Sequence, residues 1–375
     1  MEAATRVSID CHASMLVLSQ QIHPARINVA RLKLFVHHKR RHWTSSATRV
    51  YVPFADGRSR RALPITYLSR ASSVPVENQR WDYSLSVGTA TIPHPEKVEK
   101  GGEDAFFVSA HNGGILGVAD GVSGWAEENV DPAVFSRELM EKAMRALHSD
   151  AVQNCPRWLL AKAHEATSAT GAATAIVAIL EKETGILHIA NLGDCGLRVV
   201  REGKVIFATS PQQHYFDCPY QLSSEPEAQT SKDATVYEVQ LQSRDVIIMA
   251  SDGLFDNVFD KDIENTVNLL WGSGDEFPQR LASALASLAS KHSRDPKYES
   301  PYSQEAILQG YDLPLWRKLL GQKRTGGKLD DITVLTAYVI TDQAHSLDSP
   351  IESEVSSRSV EELDPYPIPI WASQS

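Results

Sequence analysis

Four short acidic motifs stand at the ends of apolar runs. Asp120-Gly121 closes the run 115–119, and Asp252-Gly253 follows the run 246–250. Asp330-Asp331 stands directly before 332–339, and Glu103-Asp104 opens 105–108. A single Asp-Gly is ordinarily a turn. Several carboxylates at the mouths of buried strands are a different matter, because each loses hydration and repels the others at a cost of several kcal/mol. A shared divalent cation removes that cost. Glu103, Asp120, Asp252 and Asp330 offer only oxygen, and no His lies in the four motifs, so the set favours Mg²⁺ or Mn²⁺ over Zn²⁺. Two such ions polarise an anionic substrate and acidify a bridging water, and attack then needs no protein nucleophile. Phosphate monoester hydrolysis has the greatest need of this, because its uncatalysed rate is extremely slow.

The elements that must position these acids are legible from apolar patterning. Residues 83–91 alternate like a strand, and Asn112-Gly-Gly114 reads as a hairpin turn between the strands 105–108 and 115–119. That hairpin brings Glu103 and Asp120 to one end of a sheet. Asp131-Pro132 is an N-cap followed by Pro in the first turn, and Val134, Leu139, Ala143 and Leu147 recur at helical spacing behind it. A second helix spans 156–169, with Leu159, Leu160 and Ala163 as its buried stripe. Strands follow at 172–180, 186–192, 197–200, 205–208 and 236–241. After a polar and aromatic loop at 211–232 and the strand before Asp252, helices fit 260–270 and 276–291. A helical piece fits 315–320, and the last strand is 332–339. Strands in blocks and helices in pairs, rather than strict alternation, predict an α+β fold with mainly antiparallel sheets.

Composition narrows the function classes. The formal net charge of −10 argues against a nucleic-acid binder. No apolar run approaches the roughly 18 residues of a membrane span. Cys11, Cys155, Cys195 and Cys218 form no C-x-x-C pair, which predicts a reducing compartment and no thiolate metal site. The charge is uneven. Residues 1–74 are rich in Arg, Lys, Ser and Thr and poor in acids, as in an organelle-targeting presequence; the plainer alternative is a basic disordered arm. Residues 342–375 are Ser-, Glu- and Pro-rich and read as an acidic disordered tail. The folded domain is expected over 75–341.

The motifs Glu103-Asp104, Val118-Ala-Asp-Gly-Val122, Ala190-Asn-Leu-Gly-Asp194, Ala250-Ser-Asp-Gly-Leu-Phe-Asp256 and Lys328-Leu-Asp-Asp-Ile-Thr333 occur in the order found in metal-dependent protein phosphatases of type 2C. The chain resembles that family over about Pro75 to Thr341. Asp-Gly-Val-Ser-Gly-Trp125, Val130-Asp-Pro132, Gln212-Gln-His-Tyr-Phe216 and Gly326-Gly-Lys-Leu-Asp-Asp331 are similar to one branch, the mitochondrial protein phosphatase 2C homolog 7 group. The resemblance implies a four-layer αββα sandwich with the metals at one end. It implies that Asp120 bridges two ions, Gly121 lends its carbonyl, Asp252 and Asp330 complete one ion, and Glu103 reaches the other through water. In some members a weaker third ion sits where Asp194 and Asp256 fall here. The implied substrates are phosphoserine and phosphothreonine proteins, for this branch in the mitochondrial matrix.

Two departures stand out. Val122 occupies a position where many members carry a proton-donating His, and the phosphate-gripping Arg before the Glu-Asp pair is absent, with Lys97 or Lys100 as substitutes. A third metal on Asp194, Asp252 and Asp256, or else His214, is the expected proton source; His214 is also the candidate substrate contact, beside a plainer reading as a loop residue. Trp125 reads as a packing residue. Two other readings compete. Cys195-Gly-Leu-Arg-Val-Val-Arg201 has the C-x₅-R spacing of cysteine-dependent phosphatases, and a catalytically weak phosphatase-like binding module would share the fold.

Overall fold

The computed structural model describes residues 81–147 and 154–343, apart from 273, 275, 315, 316 and 319–321. The expected targeting segment, the boundary at residue 75 and the tail from 344 lie outside the described residues, while Asp342 and Gln343, expected in the tail, extend the last strand.

The chain opens with the long strand β1 (Trp81–Ile92), then the hairpin β2 (Asp104–Ser109) and β3 (Ile115–Gly121). Two helices follow, α1 (Pro132–Ala146) and α2 (Pro156–Ala166). Next come β4 (Ala172–Leu180), β5 (Ile186–Leu192), β6 (Gly196–Arg201) and β7 (Lys204–Ala208). The loop region carries three very short strands, β8 (Gln213–Tyr215), β9 (Cys218–Pro219) and β10 (Leu222–Ser223). After β11 (Thr235–Gln240) and β12 (Val246–Ala250) stand a single helical turn, α3 (Asp252–Phe255), and the pair α4 (Asp260–Leu270) and α5 (Phe277–Ser293). The last elements are α6 (Pro301–Leu308) and β13 (Ile332–Gln343).

The described residues form two large antiparallel sheets, in the orders β1-β13-β12-β6-β7 and β11-β5-β4-β3-β2 with β10 also paired to β4, and a small two-stranded β8-β9 sheet. Three apolar layers hold the two large sheets. Helices α1 and α2 cover the second sheet through Phe135, Leu139, Leu159 and Leu160. The facing sheets bury Leu116, Val118, Ile176, Leu197, Met249 and Leu335 between them. Helices α4 and α5 cover the first sheet through Ile263, Val267, Leu281 and Leu285. This is the four-layer αββα sandwich, and its β4 is buried along its whole length, which is why its sequence is continuously apolar rather than alternating. Among the described residues no helix is long and apolar enough to cross a membrane.

The expected N-cap of α1 is present: the Asp131 carboxylate accepts from the Ala133 N–H at 3.1 Å. Its buried stripe is shifted from the expected one. Val134 is half exposed, and the face turned to the sheet is Phe135, Leu139, Met140 and Ala143. Helix α6 was not expected. Ser300 caps it by accepting from the Ser303 N–H at 3.1 Å, and Pro301 starts it, but only Ser303 and Ala306 are buried, so no apolar period marks it. Of the expected piece at 315–320, only 317 and 318 are described, and they are helical.

Candidate metal centre

Antiparallel register gathers the acids. Asp104 pairs with Asp120 across β2 and β3, and Asp120 faces Thr174 on β4. In the other sheet, β12 pairs with β13 so that Ala250 faces Val334, which brings the exit of β12 (Asp252) beside the entry of β13 (Asp330). The sheets are cross-linked at this end: the Ser251 hydroxyl donates to the Asp104 carboxylate at 2.8 Å, while its oxygen accepts from the Thr333 N–H at 3.1 Å. Gly253 is required by close approach, since a Cβ there would lie 2.1 Å from the Asp331 carbonyl oxygen.

Asp331 organises the Glu103 side. It is 2 % exposed. One oxygen accepts from the His94 N–H at 2.7 Å, and the other from the Glu103 N–H at 2.9 Å and from Lys97 Nζ at 3.4 Å. Lys97 Nζ also donates to Glu103 Oε2 at 2.6 Å and to Ser123 Oγ at 3.0 Å, and Ser123 donates to the same Glu103 oxygen at 2.5 Å. Lys100, the other expected substitute, is exposed, and its carbonyl oxygen accepts from Arg137.

Lys328 organises the Asp252 side. Its ammonium lies 2.6 Å from Asp252 Oδ2, 3.0 Å from Asp256 Oδ2, 3.2 Å from Asp217 Oδ1 and 3.7 Å from Asp330 Oδ2. Beside it opens a cleft of about 300 Å³ whose walls include Asp194, Asp256, Phe216, Tyr302 and Lys328.

The electrostatics are those of a site short of positive charge. Burial, then the charges of Asp104, Asp252, Asp330 and Asp194, push the Asp120 carboxyl well above the ordinary range. Burial and Asp331 do the same to Asp104, and burial and Asp252 to Asp194. Burial and Asp252 raise Asp330 and Asp256 to about 7, against the pull of Lys328. Asp252 differs: burial opposes its charge, yet Lys328 holds it below the ordinary range. Among the described residues no three acidic, His or Cys side chains close a ready-made metal shell; the two lysines stand between them. The donors nevertheless fit a divalent cation. Asp252 Oδ1 and Asp104 Oδ1 are buried with no hydrogen-bond partner, which is costly for a carboxylate oxygen unless a cation faces it.

Of the sequence candidates, Glu103, Asp120, Gly121, Asp194, Asp252, Asp256 and Asp330 come to this end of the sandwich. His214 is not brought in: it is exposed on β8, with Nε2 3.2 Å from Gln229 Nε2 and its ring against Tyr220. Val122 has no group that could donate a proton to a leaving alkoxide, and Trp125 is buried. The C-x₅-R spacing spans a turn and the strand β6. At about 3.3 Å of rise per strand residue, it holds Cys195 and Arg201 far apart. Cys195 is buried against Thr174 with its thiol pushed up by burial and Asp120, and Arg201 pairs with Asp245 at 2.6 Å. Neither residue forms a phosphate loop. The sequence assigns no role of their own to Ser123, Asp217, Lys328 or to Asp331, the second acid of its motif. Ser123, Asp331 and Lys328 stand inside the motifs, where a hydroxyl, a second carboxylate and an ammonium beside the candidate metal ligands are the available signal.

Comparison with known proteins identifies relatives of the whole domain. A family model described as stage II sporulation protein E matches residues 120–297. A probable protein phosphatase 2C 26 of Arabidopsis thaliana is 54% identical over 298 residues, 78% of this chain and 98% of the relative. A human protein phosphatase PTC7 homolog is 38% identical over 254 residues, 64% of this chain and 79% of that protein. Among solved structures, the photosystem II phosphatase PBCP is 53% identical, with a TM-score of 0.65, over 68% of this chain and 98% of that one.

Proposed function

The chain belongs to the type 2C protein phosphatases, and from that premise we propose that its carboxylate centre holds two Mn²⁺ or Mg²⁺ ions. The enzyme is a protein-serine/threonine phosphatase. Asp120 would bridge the ions, Asp252 and Asp330 would complete one, and Glu103 and the Gly121 carbonyl would serve the other. The observation that carries this is the convergence of Asp120, Asp252 and Asp330 from three strand ends, with Asp252 Oδ1 buried and unpartnered. When bound, the ions neutralise the phosphate dianion and acidify the attacking water.

The protein's own residues do the positioning. Asp331 fixes the backbone of Glu103 and, through His94, the approach to Lys97. Lys97 is the cation on the Glu103 side and the candidate to attract the phosphoryl group, in the place of the absent Arg. The cleft walled by Phe216, Tyr302 and Asp217 is the candidate seat for the peptide flanking the phosphoresidue. The test is hydrolysis of phosphoserine and phosphothreonine peptides by the purified chain with Mn²⁺, Mg²⁺ or excess chelator. Activity should require the metal, and Asp120→Asn should lower the rate at least about a hundredfold. Full activity in chelator would refute the metal centre.

The place of action has support for two readings. The basic residues 1–74 and the branch motifs support import into the mitochondrial matrix. A relative of 53% identity that is a photosystem II phosphatase supports photosystem II phosphoproteins as substrates instead. Fusing residues 1–74 to a fluorescent reporter in leaf cells separates these: mitochondrial signal supports the first and plastid signal the second. A reporter left in the cytosol refutes organelle import by this segment.

A further inference from the structure

Of the three acids expected to hold a third ion, Asp252 and Asp256 already face a cation of this chain. The Lys328 ammonium has three N–H donors, and three carboxylates stand within hydrogen-bond reach: Asp252 at 2.6 Å, Asp256 at 3.0 Å and Asp217 at 3.2 Å. Asp217 is itself held, accepting from the Tyr302 hydroxyl at 3.1 Å, and the Tyr302 ring lies 5.4 Å from the ammonium.

The backbone of Lys328 is fixed as well. Its N–H donates to Asn257 Oδ1 at 2.9 Å, and its carbonyl accepts from Asn257 Nδ2 at 2.8 Å. Asn257 is fully buried and also donates to the Gly253 carbonyl at 3.0 Å, within the same turn that presents Asp252 and Asp256. The lysine is therefore tied to the helical turn that carries its partners, rather than reaching in from a distant loop.

Asp252 divides its two oxygens. Oδ2 accepts from Lys328, while Oδ1 is buried with no partner and is left for the dinuclear centre. At Asp256, too, Oδ2 is taken by the ammonium, at 3.0 Å. A Mg²⁺ bound at about 2.1 Å to either of the lysine-bonded oxygens would lie within about 5 Å of the ammonium, a like charge among buried carboxylates. We infer that Lys328 is a built-in replacement for the third metal, so that the enzyme takes two divalent ions and excludes another from Asp194 and Asp256. This rests on the dinuclear reading given above. It also removes third-metal water as the proton source expected from the sequence.

The experiment counts bound Mn²⁺ on the purified full chain, by equilibrium dialysis with elemental analysis and by loss of the free Mn²⁺ paramagnetic resonance signal. The wild type should bind two ions and show no further step up to millimolar Mn²⁺. Lys328→Ala and Lys328→Met should each gain a third, weaker step, and Lys328→Arg should remain at two. Asp256→Asn, made in the wild type, should leave the count at two. Thermal unfolding of each variant shows that it is folded before ions are counted. Three ions on the wild type, or two on folded Lys328→Ala and Lys328→Met, would each overturn the inference while leaving the dinuclear centre intact, and loss of an ion in Asp256→Asn would place one of the two ions at Asp256 and overturn both. No bound Mn²⁺ on the wild type would overturn both.

Discussion

Asp331→Asn tests how the centre is held together. The substitution keeps the side-chain shape but replaces one carboxylate oxygen by an NH₂ group. Both oxygens are in use: one accepts from the His94 N–H at 2.7 Å and the other from the Glu103 N–H at 2.9 Å. Whichever way the amide turns, a donor then faces a donor in a site that is 2 % exposed. Loss of one charge-assisted hydrogen bond costs about 1.5–3 kcal/mol, and leaving a buried N–H unmatched costs about 1–3 kcal/mol. The attraction to Lys97 at 3.4 Å is also lost. The expected destabilisation is therefore about 3–5 kcal/mol, or a fall in Tm on the order of 10 °C for a domain of this size. Because the freed segment carries Lys97 and Glu103, Mn²⁺ affinity should fall along with stability. Thermal scans with and without Mn²⁺, paired with Mn²⁺ titration of phosphopeptide hydrolysis, read both effects. An Asp331→Asn protein with unchanged Tm and an unchanged Mn²⁺ requirement would show that this clamp does not hold the Glu103 side.

The metal-free protein should lose stability as pH rises from about 4 to 7. Asp104, Asp120, Asp194, Asp256 and Asp330 are all raised in the folded state, Asp256 and Asp330 to about 7, so the folded chain binds more protons than the unfolded one across that window. Asp252 is lowered and works only below the usual carboxylate range, and Lys97 and Lys328 are raised and work only above the usual lysine range. Mn²⁺ should flatten the profile and release protons on binding; a chelated protein whose Tm is the same at pH 5 and pH 8 would contradict this. Cys195→Ser should leave phosphopeptide hydrolysis nearly unchanged, because the thiol is buried and far from Arg201; a folded but inactive variant would restore the cysteine reading.

Much of the fold was fixed by local pattern. The strands β4 and β5 and helix α4 begin and end where the apolar runs and turn residues place them, because burial of a whole strand or of one helix face is written into residue order. The ordered acidic motifs likewise point to the candidate centre, since they stand at strand ends that the fold brings together. Only the tertiary structure decided what lies between the acids. Lys97 is 234 residues from Asp331, and Lys328 is 76 residues from Asp252; no local pattern specifies such pairs. Their meeting depends on the register of β12 against β13 and on the stacking of two sheets. The same holds for Val134, which is apolar at the expected spacing yet exposed, because the angle at which α1 lies on its sheet selects Phe135 for the interface instead. His214 stands beside Phe216 in sequence, but in this structure only Phe216 reaches the cleft. Two residues apart on one strand would share a face, but β8 ends at Tyr215 and Asp217 takes a positive φ, so Phe216 turns off the strand that carries His214, and packing rather than residue type decides which side chain meets the site.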